Sequence, residues 1–535
     1  MNTAFSSKAG QGRRLILALV TSLILFVASP GQWAVSPLAW VALVPLLLAC
    51  RGLSAKASAW LGLLSGVIYF LSLIYWIIIA LGRYGGLPLW LTLPALLGLA
   101  FYMGLSMAAF AAMISWSEKR LPTVWIAPMT WVGLDFVRAW LFTGFPWLDL
   151  GYSQFSFPLV NQTADITGHH GITFLIVMVN TLIARLIPWP QIAPINNSQT
   201  VSPDTPCSLL SCLVLPLFVI ATACGYSLWR AQNLEIAMAQ ASTISIGLIQ
   251  GNIDQSEKWL PGLQEKTVNI YLSLSEESAT QGPIDLLIWP ETALPFFPSE
   301  HPLFQRVTAS VTSPGSPSLL TGAPHFESAP TNNLTNYFNS AFLITPASTG
   351  EFTALQRYDK EHLVPFGEYI PLQNFLPKAM PLVQTMGNFS PGTDAAPLID
   401  DQTRIGVLIC FESIFPNLAR IRTLHGANIL VNLTNDAWYG RSSAPYQQVP
   451  MAVLRAIENR RSLARSANTG ISCLIDPVGK VLATTTIFEA KVTTGRLPLL
   501  EEKSFYSQAG YLFPNLCLLC LSLLLLYGIL QRDRV

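Results

Sequence analysis

Three residues of this 535-residue chain provide a nucleophile, a carboxylate and a cation, and each directly follows a short strand-like run: Cys410, Glu291 and Lys360. A thiolate attacks acyl carbons, a carboxylate acts as general base, and an ammonium holds charge on an oxyanion. A helix beginning at Cys410 would also favour its thiolate. Together, these residue types at strand ends predict a common site for acyl transfer.

Strand-like and helical segments alternate through residues 231–508, which carry most of the charge of the chain. Such alternation predicts an α/β layered domain. The sequence Asp476-Pro477-Val478-Gly479 is typical of a turn between two strands. The predicted strands are Thr243–Gln250, Asp285–Trp289, Ala341–Thr345, Ile405–Phe411, Asn428–Asn432, Ile471–Ile475, Lys480–Thr485 and Lys491–Arg496, and the predicted helices are 260–277, 413–425 and 448–464.

The rest of the sequence has the composition of a membrane protein. The chain is 51% hydrophobic and 11% charged, far more apolar than a soluble protein of this size. Most of its eight long apolar runs reach the ~20 residues that cross a bilayer. We therefore predict seven membrane helices in 1–230, a globular domain in 231–508 and an eighth helix in 509–535. The runs are 14–30, 34–50, 58–81, 87–115, 122–142, 171–188, 208–229 and 509–530.

Basic residues flank alternate ends of these runs, which predicts the orientation of the chain. With eight crossings, the positive-inside rule places both termini in the cytoplasm and residues 231–508 in a bacterial periplasm. The first run also fits a cleaved signal peptide, whose removal would leave the domain on the same side. The flanking residues are Lys8, Arg13, Arg14, Arg51, Lys56, Lys119, Arg120, Arg185, Arg532 and Arg534.

Two charged residues, Asp135 and Arg138, lie inside the fifth apolar run on one helical face. Charges at membrane depth pair with each other or line a polar cavity, so both a mutual ion pair and a lipid-headgroup site stay open. The aromatic loop 143–170 is expected at the outer interface, with His169 and His170 solvated. No His, Cys or carboxylate group has metal-ligand spacing, so we predict no metal.

Longer motifs give the chain a resemblance to a known family. Residues 231–508 resemble the nitrilase, or carbon–nitrogen hydrolase, superfamily, and the whole chain resembles the bacterial apolipoprotein N-acyltransferases. The resemblance implies a nitrilase-like α-β-β-α sandwich beside the helices of a polytopic membrane domain. The matching motifs are QGNIDQSEKW at 250–259, WPETALP at 289–295, YDKEHLVPFGEYIP at 358–371, CFES at 410–413, NLTNDAWYG at 432–440 and RAIENRRSLARSANTGIS at 455–472.

The resemblance implies a catalytic triad of Glu291, Lys360 and Cys410. Glu291 would take the thiol proton, and Lys360 would hold charge on the oxyanion. A fourth residue, Glu368, would support the site by orienting Lys360 or relaying protons. Taken singly, these residues also fit structural roles: a carboxylate at a helix start, one of a surface run of charges, and a buried thiol.

Four residues beside the matched motifs are candidates for binding substrate. Trp259, Phe411 and Trp438 are expected to line or gate an acyl pocket, with core packing as the alternative for Phe411 and Trp438. Glu412 either accepts backbone N–H groups at a helix start or positions substrate. The apolar segment 372–389 is interpreted as a mobile arm at the membrane interface, or as a segment packed against the sheet.

The resemblance, together with the apolar runs, implies a two-step acyltransferase of the bacterial inner membrane. A phospholipid would acylate Cys410, and the α-amine of S-diacylglyceryl-cysteine on an apolipoprotein would accept the chain. No cofactor, nucleotide or nucleic acid is expected, because no P-loop is present and the net charge is +1. Two alternatives stay open: a membrane-tethered amidase that uses water as acceptor, and a catalytically inert lipoprotein-binding component.

Overall fold

The residues that the structure, a computed structural model, describes are 8–118, 120–188, 210–311, 316–328, 335–346, 352–370 and 389–530. They form two compact units, of which the second comprises Trp76–Leu89 and Ala231–Gln508. The sequence had assigned Trp76–Leu89 to the membrane part of the chain. The loop 189–206, and the expected arm 372–389 apart from Phe389, lie outside the described residues.

The first unit is helical. Within the described ranges, six helices are long and apolar enough to cross a membrane, and each contains most of one predicted apolar run. A four-residue helix, Ala164–Thr167, precedes the fourth of them. The six are Gly10–Ala28, Ala55–Leu73, Leu89–Ser117, His169–Leu186, Cys212–Gln240 and Leu512–Leu530.

The second and fifth apolar runs form shorter elements than predicted. The run 34–50 is broken into a 3-10 turn, Ser36–Trp40, and a short helix, Val44–Cys50, each with a proline in its first two positions. Proline can begin a helix, but it has no N–H to continue one. The fifth run forms the 16-residue helix Thr123–Arg138. These two runs therefore fall short of the ~20 residues of a straight crossing.

The first unit contains a cluster of buried charge. Arg138 pairs with Asp135 at 3.1 Å and also with Asp149, whose other oxygen lies 2.8 Å from His169 Nε2. His169 and His170 are buried at the start of a helix, so their prediction as solvated loop residues is wrong. The ligand atoms of Asp149, His169 and His170 lie within 4.8 Å of one another, a grouping that sequence spacing did not predict. Because Arg138 pairs with both aspartates and His169 contacts Asp149, we assign the cluster to ion pairing.

The second unit contains two six-stranded mixed sheets, ordered β12-β1-β2-β3-β4-β5 and β11-β10-β9-β8-β7-β6. The neighbours β1-β2-β3 and β7-β8-β9 are parallel, and the other pairs are antiparallel. The strands are β1 Thr243–Gln250, β2 Leu286–Ile288, β3 Ser318–Ser328, β4 Thr335–Pro346, β5 Phe352–Asp359, β6 Leu398–Asp400, β7 Thr403–Ile409, β8 Ile429–Thr434, β9 Ser462–Ala467, β10 Cys473–Ile475, β11 Val481–Thr484 and β12 Lys491–Pro498.

The two sheets pack face to face and form an α-β-β-α sandwich. Inward side chains of the first sheet, such as Ile246, share one buried cluster with Val407 and Val431 of the second. The opposite face of the first sheet packs against Val268 and Tyr271. The helices of this unit are Gln264–Ala279, Pro302–Val311, Pro416–Leu424, Ala444–Asn459 and Phe505–Ala509.

One predicted helix continues too far. The helical pattern over 448–464 corresponds to a helix that ends at Asn459, where Arg460 adopts a left-handed conformation with φ of 52°. Chain reversal at Arg460 then allows Ser462–Ala467 to form β9 between β8 and β10. Tertiary pairing in the sheet therefore overrides the local helical pattern of the last residues.

Candidate active site

Three strands end where the site is built. Because β3 is parallel to β2 while β4 and β5 alternate in direction, β5 runs the same way as β2, and their carboxyl ends share one edge of the sheet. Glu291 follows β2, and Lys360 follows β5. Cys410 follows β7 of the facing sheet and belongs to the core cluster between the sheets. The topology thereby collects the three residues that the sequence predicted as a triad.

A buried lysine joins two carboxylates. Lys360 Nζ donates to Glu368 Oε1 at 2.9 Å and lies 3.7 Å from Glu291 Oε1. The side-chain amide of Asn339 donates to both carboxylates at 2.8 Å. Burial by itself would lower the pKa of the Lys360 amine, but Glu368 and Glu291 outweigh it and raise that pKa above its ordinary value. Lys360 therefore stays charged and is held in place, as an oxyanion donor needs to be.

The position of Glu291 depends on a close approach of backbone. Its Oε2 accepts the backbone N–H of Asn435 at 2.8 Å. A Cβ at Gly322, on the neighbouring strand, would lie 2.5 Å from Thr292 N and 2.7 Å from Glu291 Cα. Only glycine leaves room for this approach, so Gly322 sets the distance between β3 and the turn that carries Glu291.

Cys410 lies at a strained turn. Its φ of 53° is unusual for a residue with a side chain. Burial, and next the charge of Glu291, raise the pKa of its thiol to about 12, although Lys360 acts in the opposite direction. The element that starts at Cys410 is a five-residue 3-10 turn rather than an α-helix, so the expected help from a helix N-terminus is weak. The thiol is therefore protonated at rest and needs a base to remove its proton.

Glu412 holds two segments of the site together. Its fully buried carboxylate accepts the backbone N–H groups of Ile409, Glu361 and His362, and the hydroxyl of Tyr358 donates to it at 2.8 Å. Of the two roles expected for this residue, the contacts match the acceptor of backbone N–H groups. Glu412 thereby fixes the chain after Lys360 against the turn of Cys410.

The three candidate aromatic residues differ in exposure. Trp259 and Trp438 are 49% and 39% exposed, whereas Phe411 is buried and packs edge-on against Phe415 at 5.1 Å. The ring of Trp438 also lies 6.2 Å from that of Tyr84, in the segment Trp76–Leu89. Exposed indoles offer apolar surface to a ligand, so Trp259 and Trp438 stay candidates for an acyl pocket. The burial of Phe411 is typical of core packing, and its role in substrate binding stays a prediction.

Sequence reasoning missed two residues of the site. Asn339 lies in β4, two residues before the start of the predicted strand Ala341–Thr345. Lys258 lies in a turn beside Trp259, where a lysine is usually solvated, yet it is buried and donates to the backbone oxygen of Glu291 at 3.2 Å. The signal for Asn339 was its polar amide at an inward-facing position of a strand, because a buried amide needs hydrogen-bond partners. No local pattern distinguishes Lys258 from a surface lysine.

Comparison with known proteins agrees with this two-part architecture. Residues 22–182 match the model of the apolipoprotein N-acyltransferase N-terminal domain, and residues 237–504 match that of carbon-nitrogen hydrolase. Among solved structures, a carbon-nitrogen hydrolase from Helicobacter pylori is 19% identical, with a TM-score of 0.35, and the match covers 50% of this chain and 94% of that one.

Similarity to curated proteins extends over nearly the whole chain. An apolipoprotein N-acyltransferase of Geobacter metallireducens is 39% identical over 94% of this chain and 93% of its own length. One of Vibrio vulnificus is 30% identical, with 93% of both chains covered. The second unit is thus a carbon–nitrogen hydrolase domain. The chain belongs to the apolipoprotein N-acyltransferase family: it is a membrane-embedded acyltransferase that acts in lipoprotein maturation.

Proposed function

We propose that this enzyme transfers a fatty acyl chain from a phospholipid to the α-amine of S-diacylglyceryl-cysteine on an apolipoprotein, through a thioester on Cys410. The observation that carries the proposal is the convergence of Glu291, Lys360 and the strained Cys410 at three strand ends. The apolar helices support a lipid donor, since removing acyl chains from hydrocarbon costs about 0.8 kcal/mol per CH₂.

The first step acylates the enzyme. Glu291 takes the thiol proton as the Cys410 sulfur attacks the ester carbonyl, and Lys360 holds charge on the oxyanion. The ester C–O bond then breaks, and the proton on Glu291 passes to the leaving lysophospholipid oxygen. The pKa of about 12 for the Cys410 thiol supports this step, because a thiol that is protonated at rest needs Glu291 to take its proton as it attacks the ester.

The second step transfers the chain to the amine. The α-amine attacks the thioester carbonyl, Glu291 takes its proton, and the C–S bond breaks to release the amide. The sulfur regains a proton from Glu291, which restores the resting site. Hydrogen bonds from Asn339 and Lys360 to Glu368 keep the side chains of the site in position through both steps. Since the amide is more stable than the thioester, the second step is downhill.

The location of the chemistry is part of the proposal. Basic residues flanking the apolar runs support an inner-membrane protein with both termini in the cytoplasm and residues 231–508 in the periplasm. In the proposed division of the chain, 1–230 and 509–535 form the membrane part. Trp259 and Trp438 would then present apolar surface to the acyl chain.

Incubation of the purified protein with acyl-labelled phospholipid and a diacylglyceryl-cysteine peptide tests the proposal. We expect a fatty-acyl mass on Cys410 before the peptide is added, and loss of that mass with amide formation afterwards. Release of free fatty acid without amide would instead favour an amidase that uses water. Full lipoprotein maturation in cells that carry only Cys410→Ala would favour an inert lipoprotein-binding component.

A further inference from the structure

Lys258 is a second lysine buried at the candidate active site. It lies in the turn that follows β1, and its side chain is 1% exposed. Its ammonium donates to the backbone oxygen of Glu291 at 3.2 Å, the one side-chain hydrogen bond that it makes within the described residues. No carboxylate of that part of the chain forms a salt bridge with it. Since an ammonium has three N–H groups, this burial needs another explanation.

The charge of Lys258 acts on the groups of the proposed chemistry. Burial lowers the pKa of its amine to about 8, against the opposing effects of Glu291 and Cys410. The amine is therefore mostly charged at neutral pH. The titratable groups that act on it are Glu291 and Cys410. Lys360 lies 3.7 Å from Glu291 and pairs with Glu368.

Counting the formal charges of the linked residues Glu291, Lys360 and Glu368 suggests what the second lysine does. Glu291, Glu368 and Lys360 carry a net charge of −1, which Lys258 brings to zero. When the thiol proton moves to Glu291 and the sulfur attacks a carbonyl, one negative charge leaves Glu291 and reappears on the substrate oxygen. The sum stays at zero only while Lys258 is charged, and uncompensated charge is costly in a buried site.

We propose that Lys258 is a positioning residue of the acylation step: a second cation that offsets the negative charge passing from Glu291 through Cys410 to the substrate oxygen. This inference rests on the proposed role of Cys410 as nucleophile. It assigns the turn that carries Trp259 a direct electrostatic effect on the thiol, in addition to any contact with an acyl chain.

Alkylation of Cys410 by iodoacetamide tests this inference without any lipid. The thiolate displaces iodide, and peptide mass spectrometry of the full-length protein in detergent gives the rate at this one residue. Lys258→Met should slow alkylation about tenfold at pH 7, which corresponds to one unit in the thiol pKa. Lys258→Arg should restore the rate, and Lys266→Met, an exposed lysine of the same unit, should leave it unchanged.

The dependence on pH separates an electrostatic role from a structural one. Above pH 8 Lys258 loses its charge, so wild type should approach Lys258→Met, while Lys258→Arg stays charged and becomes faster than wild type. Equal rates for wild type and Lys258→Arg above pH 8, or for wild type and a folded Lys258→Met at pH 7, would overturn the inference. Should Lys258→Met fail to fold, the comparison of wild type with Lys258→Arg still decides.

Failure of the two proposals can be distinguished. Wild-type protein that shows the expected alkylation pattern but forms no amide from phospholipid and diacylglyceryl peptide would refute the proposed transfer to the amine and leave the effect of Lys258 on the Cys410 thiol standing. Normal amide formation, with alkylation rates that do not depend on the charge at residue 258, would refute the role of Lys258 alone.

Discussion

The two units of this protein each contain a cluster of charged side chains. The two clusters differ in the side chains that lie beside their carboxylates. In the helical unit, Arg138 contacts Asp135 and Asp149, and His169 contacts Asp149. In the sandwich unit, Lys360 links Glu291 and Glu368, and the charges of Glu291 and Lys360 act on Cys410, a thiol held at positive φ and the proposed nucleophile. Buried ion pairs alone indicate structure. A strained nucleophile within reach of such a cluster indicates chemistry.

Removing the proposed nucleophile should have the largest effect. Cys410→Ser should lower acyl transfer by about 10⁴-fold or more, the order found when a triad nucleophile is lost. Intact-mass measurement after mixing with phospholipid should then show no acyl adduct. Cys473→Ser is the matched control, because Cys473 is also buried in this unit but lies in β10. If the same fraction of the Cys410→Ser protein carried an acyl adduct as of the wild type, the nucleophile would be another residue.

Removing the cation that joins the two carboxylates should have the next largest effect. Lys360→Met takes away the proposed oxyanion donor, so kcat should fall about 10²–10³-fold. Lys266→Met removes an exposed lysine of the same unit and should keep wild-type kcat. Thermal unfolding of both variants would show whether Lys360→Met is folded. A folded variant with wild-type turnover would mean that Lys360 only pairs charge, as Arg138 does.

A smaller loss is expected from the bridging amide. Asn339→Ala removes donors to both Glu291 and Glu368, and hydrogen bonds to charged groups are worth about 1.5–3 kcal/mol each. We expect kcat to fall at least about tenfold with little change in KM, since the Asn339 amide contacts the proposed base Glu291 and its neighbour Glu368. The control is Asn336→Ala, an exposed asparagine of the same strand. Equal kcat in the two variants would contradict an orienting role for Asn339.

The ion-pair cluster of the helical unit should affect turnover least. Arg138→Leu leaves Asp135 and Asp149 without their cation, which should cost about 3–5 kcal/mol of stability. Resistance to thermal unfolding in detergent should therefore fall, while acyl transfer per folded molecule stays near wild type. A fully stable variant with reduced turnover would reverse the comparison and make this cluster part of a substrate site, such as one for a lipid headgroup.

Much of the fold could be predicted from periodicity. The strand Thr243–Gln250 was predicted with its observed bounds, and the strand ends before Glu291 and Cys410 were found within two residues. Short apolar runs bounded by turns are a local signal. The strand Ser462–Ala467 was not found, because its local pattern continues that of the helix before it and its pairing with β8 and β10 is non-local.

The candidate site was predictable in its residue types but not in its support. A thiol, a carboxylate and a lysine after strand-like runs are visible in the sequence, and so are the motifs around them. The hydrogen bonds that Asn339 makes to both carboxylates depend on the pairing of β4 with β5, which cannot be read from the sequence. His169 was misplaced for a similar reason, because its burial depends on Asp149, 20 residues earlier.

The amino-acid sequence by itself determined which chemical groups this protein has, where most of its long apolar helices lie, and to which family it is similar, because these properties are encoded over short stretches of chain. Only the tertiary structure decided which charges meet. It buries Lys258 against the Glu291 backbone, raises the pKa of Cys410 to about 12, and commits Glu412 to backbone N–H groups. Burial and distance set the energy of a charge, and both arise only when distant segments pack together.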